Sequence, residues 1–363
     1  MQRPLIPVLG SDGPHHLAYI PRFLSLGSTA VSIQAVTPVD PAAGDAPSRA
    51  DRVLDEAGRP VTGMVRPYPV SADPARPPYV AQIQPGPGGL VFLDVTFARA
   101  EDIPTTIAHR ATQTQAGGSP ASAVAGLAEV CRDDAVVAPP LRRGGWTVGF
   151  GCCEALSDHR TTVLPINGSL HPAQAFAINF IRLDEATGRA WTGEVTDLRN
   201  WSAYGQPVHA AVSGRVVAVH DGLPDQPIGA LPAGIPIADA LGSHVIIDTG
   251  AGRYAFYARM IPGSIRVTPG ETVEAGAVLG QLGNSGNTST PHLHFQIMDR
   301  PSALDANGLP FVLAPWTLSR RAAGSLAALD QNVQSGRPVD ASAEGAGPRG
   351  GSLPLNLDIA AFD

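Results

Sequence analysis

Short apolar runs separated by turn-forming residues dominate the first third of the chain. Residues 17–20, 29–36, 79–83 and 89–97 are runs of this kind, and clusters of Pro, Gly and Asp bound them. Their length and spacing are typical of strands in a small antiparallel sandwich. The pattern therefore predicts an N-terminal sandwich-like β domain over residues 1–115.

A stretch rich in small and turn-forming residues follows this domain. Gly117, Gly118, Ser119 and Pro120 lie in its first part. Such composition is typical of connecting segments, so we predict a linker or long loop over residues 116–136.

The strand pattern becomes stronger between residues 137 and 318. Its apolar runs lie at 147–150, 175–183, 207–219, 244–248, 253–257, 278–282 and 292–298. We predict that this second β domain carries the function. After it the composition turns to Ala, Gly, Ser and Pro, which predicts a largely irregular tail over residues 319–363. Within the tail we expect residues 330–352 to be mobile and residues 353–362 to dock as a strand or short helix.

Length and composition agree with a two-domain, all-β chain. A chain of 363 residues exceeds what one hydrophobic core usually organises. Gly 40 and Pro 35 together make about a fifth of the chain, which favours many short strands and turns over long helices.

Charge and residue usage exclude several function classes. The formal net charge is -7 and no run of basic residues occurs, so a nucleic-acid partner is not expected. All basic residues other than histidine are arginine, which excludes a Schiff-base or carrier lysine. No stretch resembles a signal peptide or a membrane span, so we expect a soluble chain whose compartment the sequence leaves unknown. The oligomeric state is not predictable either.

Two histidines one residue apart form the most informative motif. His292 and His294 stand at the start of the run 292–298, after a turn-rich loop. Side chains alternate along a strand, so both imidazoles should project from one face. Such a pair could supply a zinc ligand and a general base, or it could be two ordinary strand histidines.

The surrounding residues resemble a known family. Residues 291–296 read Pro-His-Leu-His-Phe-Gln and resemble the signature of lysostaphin-type (LytM-like) zinc metallopeptidases, which cut peptide cross-links in bacterial cell walls. Residues 204–217 and 267–283 resemble the hairpins that flank this family's site. The resemblance implies a lysostaphin-type antiparallel β domain, a Zn²⁺ cofactor, a peptide or peptidoglycan substrate and an extracytoplasmic location. The hairpin pattern also occurs in biotinyl and lipoyl carrier domains, but those need a lysine.

Carried over to this chain, the family pattern names the candidate site residues. The metal ligands would be His294, the residue at position 179 and a first histidine, for which His159 is favoured over His171. His292 would handle protons, and position 259 would stabilise the oxyanion.

Two of these positions depart from the family. Asn179 replaces a ligand aspartate, so the ligand is neutral and should hold zinc weakly or not at all. Arg259 replaces a histidine, and a guanidinium donates hydrogen bonds but accepts no proton. The sequence thus leaves two functions open, a zinc metallo-endopeptidase or an inactive pseudopeptidase that binds peptide or cell wall.

Other candidates near the site have structural explanations. Cys152 and Cys153 lie shortly before His159 and are interpreted as buried small residues, with a ligand role as the alternative. His244 and Asp248 are interpreted as residues of a structural strand.

Overall fold

The computed structural model describes residues 4–24, 26–43, 46–47, 66–68, 82–83, 88–115, 117–154 and 157–363. Strands far outnumber helices, which confirms the all-β prediction. The chain forms two compact units, Met1–Asp134 with Cys153–Leu156, and Ala135–Cys152 with Ser157–Asp363. Of the strand predicted at residues 79–83, all but the last two residues lie outside the described part.

The first unit is built from short strands. They are β1 (Val8–Leu9), β2 (His15–Tyr19), β3 (Arg22–Leu24), β4 (Val31–Asp40), β5 (Ala46–Pro47), β6 (Arg66–Tyr68), β7 (Gln82–Ile83), β8 (Gly88–Leu90), β9 (Leu93–Phe97), β10 (Thr106–Gln115) and β11 (Ala121–Glu129). They form sheets in the orders β1-β2-β9, β11-β10-β4-β5 with β7 beside β4, and β3-β8-β6.

Alternating side chains bring two of these sheets together. In β9, Val95 and Phe97 are fully buried while the residue between them is half-buried. They share a core with Leu17 of β2, and with Ile107 and Ala128 of the second sheet. Burial of these apolar side chains stabilises the unit by roughly 1.5–3 kcal/mol for each large residue.

The structure differs from the linker predicted over residues 116–136. β11 lies within that range and pairs with β10 over most of its length. Most of its side chains are small, and all but that of Ala128 are exposed, so burial does not alternate along the strand. Backbone hydrogen bonds to a long neighbouring strand hold β11 in place, and its sequence pattern carries no sign of them.

The second unit has two helices and eighteen strands among the described residues. Its elements are β12 (Ala135–Val137), β13 (Arg143–Gly149), α1 (Asp158–Thr161), β14 (Leu164–Ile166), β15 (Ser169–His171), β16 (Ile178–Arg182), β17 (Pro207–His209), β18 (Gly214–His220), β19 (Ser243–Gly250), β20 (Arg253–Met260), β21 (Thr272–Val273), β22 (Val278–Gln281), β23 (Leu293–Met298), β24 (Gly308–Leu309), β25 (Phe311–Leu313), β26 (Trp316–Ala322), α2 (Leu326–Ser335), β27 (Ala341–Ser342), β28 (Gly347–Arg349) and β29 (Asp358–Phe362).

One large antiparallel sheet organises this unit. Its order is β21-β18-β19-β20-β23-β16-β13-β29-β26-β27, with β24 beside β23 and β28 beside β26. All six residues of β23 are buried, because Phe295 packs against Tyr257 and Phe311 on one face while Met298 joins a second apolar cluster on the other. Polar residues of β23 are therefore interior residues.

The structure also differs from the irregular tail predicted over residues 319–363. Residues 326–335 form α2, which Ser325 caps at its N-terminus and Gly336 ends in the left-handed conformation. Leu329 and Val333 of α2 are buried in a core shared with Ile359 of β29. The segment expected to be mobile is thus part of the folded unit, and residues 353–362 end in β29.

The packing of α2 allows a prediction about the stability of the second unit. Replacing Leu329 by Ala should lower the free energy of unfolding by about 3 kcal/mol, because it leaves a cavity in this core. Gln331→Ala on the exposed face of α2 should change it by less than about 0.5 kcal/mol. Denaturant unfolding checks both variants, and equal effects would show that α2 does not contribute to the core.

Candidate functional site

Strand register lines up the central site residues across the large sheet. Asn179 of β16 lies directly opposite His294 of β23, and His294 lies opposite Ala258 of β20. Directly opposed residues of an antiparallel pair project from the same face. Two positions that are 115 residues apart in sequence thereby become neighbours.

Two amide side chains hold the His294 ring. Its Nδ1 lies 3.0 Å from Oδ1 of Asn179, and its Nε2 lies 3.0 Å from Oε1 of Gln296. Burial keeps the pKa of His294 well below its usual range, repulsion from His159, when that ring is protonated, and from Arg259 lowers it further, and the ring is therefore neutral. A neutral imidazole has one donor and one acceptor, so one of the two amides must turn its NH₂ group to the ring.

His159 comes to His294 from the short helix α1. Ser157 caps the N-terminus of this helix, which fixes His159 in the first turn. The ring centroids of His159 and His294 are 5.0 Å apart in an edge-to-face arrangement. Nδ1 of His159 lies 3.1 Å from the Ala177 carbonyl oxygen, to which it donates. Burial lowers the pKa of His159 to about 4.

His292 lies immediately before β23 and is also buried. Its Nδ1 donates to the Thr290 carbonyl oxygen at 2.8 Å, with the Thr288 hydroxyl at 3.3 Å. Its Nε2 is buried and has no hydrogen-bond partner among the described residues. Burial, with the charge of Arg259, lowers the pKa of His292 to about 3. Nε2 is therefore a buried, unused hydrogen-bond acceptor.

Arg259 brings a positive charge to the same place. Its side chain is buried, and its backbone has φ 76, in the left-handed region. Nη1 donates to the Ala240 carbonyl oxygen at 2.6 Å, while Nε is buried without a partner among the described residues. Burial lowers the pKa of Arg259 to about 10, so the guanidinium stays charged at neutral pH.

A glycine makes room for this arginine. Gly286 has φ 83, and a Cβ there would clash with the backbone nitrogen of Gly242 and lie 2.6 Å from Nη1 of Arg259. The loop before β23 must therefore have a glycine at this position for Arg259 to reach Ala240.

His171, the alternative first ligand, lies elsewhere in the unit. It pairs with Leu164 in the β14–β15 hairpin, and it is buried with its Nδ1 unpartnered among the described residues. In the described part of the chain, the ring contacts of His294 are with His159 and Phe256. The structure thus brings the His159 ring into contact with the His294 ring, and places His171 in the β14–β15 hairpin.

The sequence analysis did not name Gln296, which contacts the His294 ring. It interpreted His244 and the two neighbouring cysteines as structural residues. The position of Gln296 could have been predicted from its spacing. It follows His294 by two residues, and an even offset along a strand places both side chains on the same face. His244 contacts His220 and Phe256, and its Nδ1 lies 2.7 Å from the Gly242 carbonyl oxygen, as expected for a structural strand residue. Cys152 and Cys153 are disulfide-bonded, so they supply no thiolate to this site.

The donor set does not fit a tightly held zinc ion. His159, Asn179 and His294 are all neutral, and both nitrogens of His294 are already engaged. Arg259 is the permanent charge that acts on His159, His292 and His294, and it lowers the pKa of all three. A dication would thus meet a buried cation and no compensating carboxylate among these groups, which costs several kcal/mol.

Comparison with known proteins assigns part of this unit to a family. Residues 197–306 match the sequence profile of peptidase family M23. This segment is an M23 peptidase domain. It contains Arg259, His292 and His294, whereas His159 and Asn179 precede the matched residues. The comparison with curated proteins found no match.

Several solved structures are similar to the chain. The catalytic domain of the prophage-encoded M23 protein EnpA from Enterococcus faecalis is 20% identical, with a TM-score of 0.26, over 46% of this chain and 88% of that one. The catalytic domain of lysostaphin from Staphylococcus simulans is 21% identical, with a TM-score of 0.25, over 46% and 88%. A zinc-containing peptidase from Vibrio cholerae is 15% identical, with a TM-score of 0.25, over 57% and 51%.

No helix in the described part of the chain is long and apolar enough to cross a membrane.

Proposed function

We propose that the M23 domain of this chain is a pseudopeptidase, which binds a peptide group and does not hydrolyse it. The family supports a peptide ligand, with peptidoglycan peptides as the expected source and an extracytoplasmic location by analogy. The charge of the site argues against a bound zinc ion and hence against turnover.

Two buried atoms without partners carry this proposal. Nε2 of His292 is an acceptor, because Nδ1 of the same neutral ring donates to Thr290. Nε of Arg259 is a donor. A peptide group offers one N–H donor and one carbonyl acceptor, so it complements both atoms. Each unsatisfied buried group costs about 1–3 kcal/mol, which a bound peptide group would recover.

A positive charge adds selectivity to this complementarity. Arg259 can also donate to a carboxylate, and hydrogen bonds to charged groups are stronger than those to neutral ones. Peptides with a carboxylate next to the bound amide should therefore bind better than their amidated counterparts. Asn179 and Gln296 would hold the His294 ring at the floor of the site during binding.

A zinc endopeptidase is the second candidate. The close approach of His159 to His294, together with the unused Nε2 of His292, favours it. If zinc occupied the site, His159, Asn179 and His294 would hold it, and the chemistry would be hydrolysis of a peptide bond. The neutral ligands and the Arg259 charge are the reasons for ranking this function second.

Titration calorimetry with purified peptidoglycan stem peptides tests the proposal. The natural chain should bind the peptides and leave them intact, as mass spectrometry of the recovered peptides would show. Arg259→Met keeps the bulk of the side chain and removes its donors, so affinity should fall at least about tenfold, or about 1.4 kcal/mol.

Arg253→Met is the matched control, because it removes a cation from the other end of β20. Its affinity should stay within twofold of the natural chain. Absence of binding by the natural chain, or unchanged affinity in Arg259→Met, would contradict the proposal. Cleaved peptides would instead favour the endopeptidase.

A further inference from the structure

A second group of potential metal ligands lies in the first unit. His16, Asp94 and Cys153 each offer one ligand atom, and these atoms lie within 4.8 Å of one another. His16 is 6% exposed and Cys153 is 7% exposed. One imidazole, one carboxylate and one sulfur, of which the imidazole and the sulfur are buried and the carboxylate is partly buried, form a donor combination typical of zinc.

The His16 ring is already oriented as in many metal sites. Its Nε2 lies 3.2 Å from Oδ1 of Asp12, and its Nδ1 lies 2.8 Å from Oδ2 of Asp94. Metal-binding histidines commonly donate their second ring nitrogen to a carboxylate in this way, which fixes the ring and leaves the first nitrogen for the ion. Asp12 therefore has the position of a supporting carboxylate.

One atom in this group lacks a partner. Oδ1 of Asp94 is buried and has no hydrogen-bond partner among the described residues. Gly10 adds a packing constraint, because a Cβ there would clash with Asp12 and lie 2.8 Å from Nε2 of His16. The group is thus closely enclosed, and it holds an oxygen that the protein itself leaves unused.

Two features keep this group from binding a metal ion as it stands: the His16 ring is protonated, and the sulfur of Cys153 is in a disulfide. Burial lowers the pKa of His16, but hydrogen bonds to Asp12 and Asp94 outweigh it and raise that pKa to about 10. The ring is therefore an imidazolium between two carboxylates. Cys153 is disulfide-bonded, as is its neighbour Cys152, and the remaining cysteine, Cys131, is free.

We propose that reduction of the Cys152–Cys153 disulfide creates a zinc site formed by His16, Asp94 and Cys153. A dithiol reductant supplies two electrons and two protons, the S–S bond breaks, and two thiols form while the reductant becomes a disulfide. Zinc then displaces the proton of the Cys153 thiol and one proton of the His16 imidazolium. Water would complete a tetrahedral sphere. The site is separate from the M23 histidines and does not depend on the proposed function.

Cobalt(II) provides the probe, because only a thiolate ligand gives an ultraviolet thiolate-to-cobalt charge-transfer band. The natural chain should show no such band as isolated and should gain it after treatment with a phosphine reductant. Cys152→Ser cannot form the disulfide but keeps the proposed ligand, so it should bind one equivalent without reductant. Cys153→Ser should show no band under either condition.

Further variants separate this site from its alternatives. Cys131→Ser should leave the band unchanged, which excludes the free cysteine, and His294→Ala should leave it unchanged, which excludes the M23 site. His16→Ala and Asp94→Asn should each weaken cobalt binding at least about tenfold, and the milder Asp94→Asn serves if His16→Ala fails to fold. Absence of the band in Cys152→Ser, or its persistence in Cys153→Ser, would overturn the proposal.

Discussion

The double variant Asn179→Asp, Arg259→His should bind zinc and cleave peptide bonds that the natural chain leaves intact. Asn179 lies 3.0 Å from the His294 ring, so an aspartate there would add a negative charge at the site itself. Replacing Arg259 removes a buried cation whose charge acts on His159, His292 and His294. We expect zinc affinity to rise at least about 100-fold, or about 2.7 kcal/mol.

Release of new amino termini from peptidoglycan measures the gain in cleavage, and dialysis with metal analysis measures the gain in zinc. The two single variants should each recover part of the zinc affinity, because the added carboxylate and the removed cation act on the same ion. Adding His294→Ala to the double variant should abolish both gains. Full zinc occupancy without cleavage would show that these two positions do not account for the proposed lack of turnover.

Gly286→Ala should be among the most damaging single substitutions in the second unit. The residue has φ 83, and a Cβ would meet both the Gly242 backbone and the Arg259 guanidinium. Strain from the left-handed backbone contributes about 1–2 kcal/mol, and displacement of packed backbone adds to it. We expect the free energy of unfolding to fall by about 4 kcal/mol, and peptide binding to weaken as Arg259 loses its contact with Ala240.

Gly270→Ala is the matched control for this substitution. It has φ 96, but the nearest atom to its added Cβ is 3.8 Å away, in the side chain of Arg215. It should therefore cost only the backbone strain, about 1–2 kcal/mol, and leave peptide binding unchanged. Equal losses of stability in the two variants would show that Gly286 matters for its backbone conformation alone and not for the space beside Arg259.

The sequence was sufficient to predict the all-β class. Alternation along residues 292–298 placed Leu293, Phe295 and Ile297 on one face, and all three are buried. The family resemblance placed Asn179 and His294 on one metal ion, but alternation alone could not show that they are direct neighbours, because pairing between distant strands depends on the whole sheet. The left-handed backbone of Arg259 and its bond to Ala240 depend on the loop before β23, and no local pattern encodes them.

In the tail, by contrast, the sequence does contain the pattern of a helix, but the prediction of irregular structure followed the overall composition instead. Ser325, the buried pair Leu329 and Val333, and Gly336 have the spacing of a cap, an apolar helix face and a left-handed stop. The surrounding Ala, Gly and Ser residues led to a prediction of irregular structure. β11 gave no comparable signal, since its exposed small side chains leave only the backbone to define the strand.

Zinc content of the natural chain tests the central claim most directly. The protein should be isolated without reductant, so that the Cys152–Cys153 disulfide stays intact and the first-unit site does not form, then dialysed exhaustively and analysed by mass spectrometry for metal. The neutral donors and the Arg259 cation predict far less than one equivalent of zinc. One full equivalent that disappears in His294→Ala would contradict the account.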